Sequence, residues 1–169
     1  MSAKWLVALD ETHRAEAEKL IATLAELDCP DPEAWARRQL RDHLPQVSRL
    51  LLMRHLWSDS INSWRDSELW ITNLVEDSED NPEGPFSSAG VALARILDSG
   101  ADPSDIAQLA RFIAYQSVFS AVHTLDEGFD SDRDGELPGW ALVERDPLGN
   151  ITGKVLAGLH NELPSLEKS

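Results

Sequence analysis

Asp130-Ser131-Asp132-Arg133-Asp134-Gly135 sets carboxylates at alternate positions ahead of a glycine. In this arrangement side-chain oxygens can gather around calcium while the chain turns tightly. The continuation departs from the EF-hand pattern. The ninth and twelfth positions of such a loop are Pro138 and Ala141, whereas a bidentate Glu at the twelfth largely sets the affinity. An acidic, solvated turn is therefore the simpler expectation. Just upstream, His123, Asp126 and Glu127 stand at i, i+3 and i+4, so a helix would bring an imidazole and two carboxylates to one face. That trio suits metal ligation or proton transfer. It equally suits a histidine held near a helix C-terminus by the dipole and its acidic neighbours. The metal reading of this segment is a metal-dependent helical enzyme or calcium-binding protein using residues 123–136, with Ca2+ or a transition metal on Asp130, Asp132, Asp134 and His123. The leading reading assigns no cofactor. Asp10-x-x-His13 comes nearest to the Glu-x-x-His pairs of helical di-iron sites, but those sites need more than one such pair.

The remaining chemical groups are sparse. Cys29 is the only cysteine and is flanked by Asp28 and Asp31, whose negative charge opposes formation of a thiolate nucleophile. A lone cysteine also excludes an intramolecular disulfide and a paired-thiolate zinc site, as in a protein of a reducing compartment. The chain has no Gly-x-Ser-x-Gly elbow, no phosphate-binding loop ending in Lys-Ser or Lys-Thr, and no Gly-x-Gly-x-x-Gly. The enzyme classes that these motifs advertise are excluded, and the balance tips away from catalysis. Arg37, Arg38 and Arg41, with Arg49 and Arg54, form the one basic region, expected on a solvated face.

Net charge is −15, and it is unevenly spread. Up to Val75 there are 12 acidic against 9 basic residues, and from Glu76 onward 18 against 6. The surplus gathers in Glu76, Asp77, Glu79, Asp80 and Glu83, and again in Asp126, Glu127, Asp130, Asp132, Asp134 and Glu136. Such runs repel themselves; they are kept because they solvate a loop, bind a cation or meet a basic partner. The same acidity argues against nucleic acid and anionic lipid, which reward Lys and Arg. No stretch approaches the roughly 18 apolar residues of a membrane span, and the apolar run Trp5 to Leu9 is too short for a signal peptide. The expected location is cytoplasmic.

Helical periodicity supplies the scaffold. Ala17, Leu20, Ile21, Leu24 and Leu27 mark a first amphipathic helix that stops before Cys29-Pro30. Asp31-Pro32-Glu33 opens a second that runs toward Leu44, with Pro45 ending or kinking it. Leu50, Met53, Trp57, Ile61, Trp64, Ile71 and Val75 then form one apolar stripe, on one long helix or on two broken near Ser58-Asp59-Ser60. On this stripe Trp57 and Trp64 are core candidates, while Trp70 falls off it and is a candidate for a partner contact or for a second packing face. Residues 76–85 read as an acidic loop, Ser87 or Ser88 as the next N-cap, and Gly100 as a left-handed helix end. Asp102-Pro103 starts the most apolar helix, which is expected at the centre with the others packed around it. Between residues 139 and 157, two short apolar runs flank Asp146-Pro147-Leu148-Gly149-Asn150, as in a small β-hairpin. A frayed tail is expected over 164–169.

The 169 residues, 42% of them hydrophobic, thus predict a mainly α, single-domain helical bundle of five or six helices with a small C-terminal β-hairpin. The functional expectation is a small acidic protein that binds and neutralises a basic protein partner, such as a toxin or nuclease, in the manner of immunity proteins and acidic inhibitors. Its acidic surface would comprise the two runs above, with Trp70 and Trp140 as apolar anchors.

Overall fold

The computed structural model describes residues 4–65, 69–129 and 138–167. The protein is mainly α-helical, with eight α-helices among these residues and a two-stranded antiparallel sheet near the C-terminus. Two of the eight, α1 (Lys4–Val7) and α8 (Leu159–Glu162), are single turns. Two compact units divide the chain: Met1–His55 with Phe119–Ser169, and Leu56–Val118. Among the described residues no helix is long and apolar enough to cross a membrane.

In the first unit, helix ends follow the local chemistry of the sequence. Asp10 caps α2 (Glu11–Glu26), its Oδ1 accepting the His13 backbone N–H at 2.9 Å while Oδ2 lies 2.6 Å from His13 Nδ1. The Asp10-His13 pair is thus a cap. α2 closes with Asp28 in the left-handed region at φ 52°, its N–H reaching Ala25 O, while the Cys29 N–H reaches Leu24 O at 2.9 Å. This double closure places the Cys29 side chain against the last apolar turn, and both Leu24 and Cys29 are buried. Asp31 caps α3 (Pro32–Asp42) through the Ala34 N–H. α3 ends two residues short of Leu44, with His43 at φ 56°. The residue before a proline avoids the α region, so the helix stops ahead of Pro45. Gln39 Oε1 then accepts the Gln46 N–H at 2.9 Å and starts α4 (Gln46–His55). Strands β1 (Val143–Arg145) and β2 (Ile151–Val155) pair antiparallel around the turn that Asp146 organises, and α8 follows. Leu159, Leu163 and Leu166 bury the C-terminal segment, so what was expected to fray from Pro164 is packed through Leu166.

The second unit resolves the long stripe. The helix does not break at Ser58-Asp59-Ser60; it widens into a π-turn over Leu56–Ile61 and tightens into a 3₁₀ turn over Asn62–Trp64. This irregular passage buries Trp57 and Ile61 but carries Trp64 out to the surface, contrary to its core assignment. The change in residues per turn carries Trp64 off the stripe, while Ile71 beyond it is buried again. α5 (Leu69–Asp80) then runs through Glu76 to Asp80, residues whose charge suggested a loop. Packing against α6 (Ser87–Asp98) explains the continuation, because Ile71 and Ser78 are buried on that helix and Ser78 lies against Gly90. α6 begins without a serine cap. Phe86, at φ 66°, precedes it, and Ser87 Oγ donates to Pro82 O instead. α7 (Pro103–Glu127) starts at Asp102-Pro103 and ends before Gly128, but it is not wrapped by other helices. Ala107 and Val122 are its only buried apolar residues, and Leu109, Phe112 and Ile113 stand exposed.

A Cβ on Gly90 would fall 1.8 Å from Ser78 Oγ and 2.3 Å from the Leu74 carbonyl oxygen. Gly90→Ala must therefore push α5 and α6 apart, at a cost of about 1–3 kcal/mol. Urea unfolding measures this, and an unchanged midpoint would show that the helices are not in such close contact.

Candidate functional site

Glu76, Asp77, Glu79 and Asp80 occupy the last turns of α5, and all four are exposed. Asn81 caps the end through its N–H to Asp77 O at 3.0 Å, and Gly84 N–H to Asn81 O at 2.9 Å turns the chain toward Phe86, past the exposed Glu83. No Lys or Arg occurs between Arg65 and Arg95. The helix dipole places its negative end where these carboxylates stand, so they meet an unfavourable field as well as one another. A groove of about 380 Å³ opens beside them, lined by Asp77, Asp80, Asn81, Pro85 and Phe86 among others. Phe86 is 80% exposed and holds a left-handed backbone conformation that an aromatic residue rarely adopts. Carboxylates, a groove and a projecting aromatic ring thus share one end of the α5–α6 pair. This arrangement can receive a cationic side chain and provide an apolar contact next to it.

The other acidic residues are placed differently. Asp126 belongs to the first unit and does not present its carboxylate to solvent, its side chain being 5% exposed. Its Oδ2 accepts the His160 backbone N–H at 2.9 Å and lies 2.7 Å from His160 Nδ1. It therefore leaves the expected acidic surface, because a closer donor pair takes it up. Glu127 remains exposed, 3.7 Å from His123 Nδ1. Asp130, Asp132, Asp134 and Glu136 lie outside the described residues, and with them the calcium-like loop. Trp140 is exposed, with its indole N–H donating to Thr124 O at 3.0 Å. Trp70 is half-buried and packs edge-on against Trp64, ring centroids 5.1 Å apart, while its N–H donates to Trp64 O.

His160, which no spacing singles out, proves to be a hub of the first unit. Its ring lies 4.8 Å from that of His123, and Phe119 meets it edge-on at 6.1 Å. Nearby Arg49, expected on a solvated face, is only 2% exposed. Its Nη1 donates to Gln46 Oε1 at 2.7 Å and its Nη2 to Gly158 O at 2.9 Å, and its guanidinium stands 6.0 Å from the Trp35 ring. Burial pushes its pKa down, opposed by the negative charge of Glu162 and Asp126 and assisted by Arg38. Arg38 in turn pairs with Glu162 and lies over the same tryptophan. Gln46 Nε2, Arg49 Nε and Asp126 Oδ1 are buried without a hydrogen-bond partner among the described residues. Through Gly158, His160 and Glu162, these groups fasten the C-terminal segment to α3, α4 and α7. Contacts spanning 34 and 109 residues leave no trace in local periodicity. Among the described residues, no three or more His, Cys, Asp or Glu side chains form a group that could hold a metal ion.

Removing one member of a buried charged network strands the others. Asp126→Ala is expected to cost about 2–4 kcal/mol in urea unfolding, and a loss within error would mean that the His160 linkage does not hold the C-terminal segment. At Cys29 burial raises the thiol pKa, opposed by a hydrogen bond from the Asp31 backbone. Native protein at neutral pH should therefore react with a thiol reagent far more slowly than protein in denaturant, and equal rates would contradict the buried thiol. Function has to be inferred from these residues themselves: no family model matches this chain, and neither a curated protein nor a solved structure matches it.

Proposed function

We propose that this chain is a small acidic interaction protein that binds and neutralises a basic protein partner, in the manner of an inhibitor or immunity protein. The observation that carries this reading is the acidic end of α5. Glu76, Asp77, Glu79, Asp80 and Glu83 sit at the unfavourable pole of a helix with no neighbouring cation in the sequence. A folded protein that breaks a local electrostatic rule without a local gain is expected to do so at a functional surface. A basic partner supplies the missing charge, speeds its own encounter and fixes its orientation. Phe86 is the apolar anchor of this surface, taking the role that the sequence suggested for Trp70 and Trp140. In this reading the left-handed backbone at Phe86 is a cost of about 1–3 kcal/mol that presents the ring. The setting is cytoplasmic, consistent with a lone buried cysteine.

The test begins with capture of a partner at low salt and continues with purified components. Asp77→Asn combined with Asp80→Asn should slow association by about tenfold and flatten its salt dependence. Binding that ignores both salt and these substitutions would remove the charge mechanism. Phe86→Gly separates presentation from folding. It should stabilise the free protein by about 1 kcal/mol by releasing the backbone, while weakening the complex. A variant that binds as tightly as the parent would show that the ring is not an anchor.

A further inference from the structure

The unit Leu56–Val118 carries a second surface of opposite character. Between Ile106 and Val122 the only ionised side chain is Arg111, and its Nε donates to Asn62 Oδ1 at 3.0 Å while its guanidinium lies 5.7 Å from the Trp57 ring. Away from Arg111, α7 turns Leu109, Phe112 and Ile113 to solvent, 64%, 58% and 62% exposed. These three side chains leave on the order of 400 Å² of apolar surface uncovered, given roughly 150–250 Å² for a large aromatic residue, the size of the largest patch on a typical monomer, which is often functional. Alongside them runs an apolar groove of about 450 Å³, lined by Ser60, Trp64, Ala110, Ile113, Ala114 and Ser117. Its α7 wall is built from small residues at Ala110, Ala114 and Ser117, with Leu109 and Ile113 projecting next to it. Projecting side chains and a groove therefore occupy one patch, formed by α7 with Ser60 and Trp64 beside it.

We infer that this face of α7 is the interface between two copies of the chain. A two-fold contact requires a patch that complements itself, and here the Leu109 and Ile113 of one copy can enter the groove of the other. Charge selects the same occupant. Copies carrying −15 each repel at most approaches, and the stretch from Ile106 to Val122 brings no carboxylate to the contact. Together with Trp64, the paired patches bury on the order of 1,000 Å², at the lower limit for a specific interface, so the dimer is a weak, reversible one. The acidic end of α5 takes no part in it.

Sedimentation equilibrium on the full chain tests the inference. The mass should rise with concentration from 18.8 kDa toward twice that value. Added salt should strengthen the association, because it screens like-charge repulsion; binding of a basic partner at the α5 end would weaken under the same change. Ile113→Glu should raise the dissociation constant at least about tenfold, with Leu109→Gln giving a smaller shift and circular dichroism unchanged. Asp77→Asn with Asp80→Asn should leave the α7 contact in place. A mass fixed at 18.8 kDa across concentration and salt would overturn the inference, as would an association that Ile113→Glu leaves intact.

Discussion

Arg49 has been taken out of water, and the first unit is organised around the consequences. A guanidinium cannot shed its charge, so burial obliges the fold to surround it with acceptors and opposite charge. Gln46 Oε1 and Gly158 O supply the first, and Glu162 and Asp126 act on it electrostatically. Each partner constrains something else. Gln46 is the first residue of α4, Gly158 precedes α8 in a left-handed conformation, and Asp126 fixes His160. A desolvated cation in this way specifies where the C-terminal segment lies, a task that Leu159, Leu163 and Leu166 could share with other apolar arrangements of similar area. Polar obligation selects among them.

In the other unit, close packing does the comparable work. Gly90 lets α6 approach the Leu74–Ser78 turn of α5, and that contact extends α5 through four acidic residues that would otherwise prefer to separate. The same contact holds them in register beside Phe86 and the groove. Helix propensity and self-repulsion are each worth only tenths of a kilocalorie per mole to about one per residue, so a buried helix face outweighs them. Carboxylates that might have been a diffuse tether are presented on a rigid element, which favours defined recognition over loose attraction.

Much of the secondary structure was legible because it depends on neighbours in sequence. Asp31 and Asp102 open helices through side-chain oxygens within three residues, Pro32 and Pro103 sit where a missing N–H costs nothing, and Gly100 and Gly128 accept the left-handed conformation that ends a helix. The hairpin around Asp146 to Asn150 was legible for the same reason. Where reading by period went astray, the period itself had changed. The π-turn over Leu56–Ile61 rotated Trp64 out of the stripe, and α7, rich in apolar residues on several faces, was placed at the centre although much of that surface is open. Hydrophobic content states how much surface wants cover and is silent about what covers it.

The sequence by itself determined the helical class, the helix starts at Asp31 and Asp102, the C-terminal hairpin and the concentration of charge around residues 76–83, since composition and short-range hydrogen bonding suffice for these. Tertiary structure decided which charges face water. Asp126 and Glu79 are both carboxylates near a helix C-terminus, yet one meets His160 across 34 residues and is buried while the other stays exposed. Arg49 and Arg37 differ likewise, within one basic region. The physical reason is that desolvation depends on what the fold brings near a group in space, and residues far apart in sequence settle that only when the chain is packed.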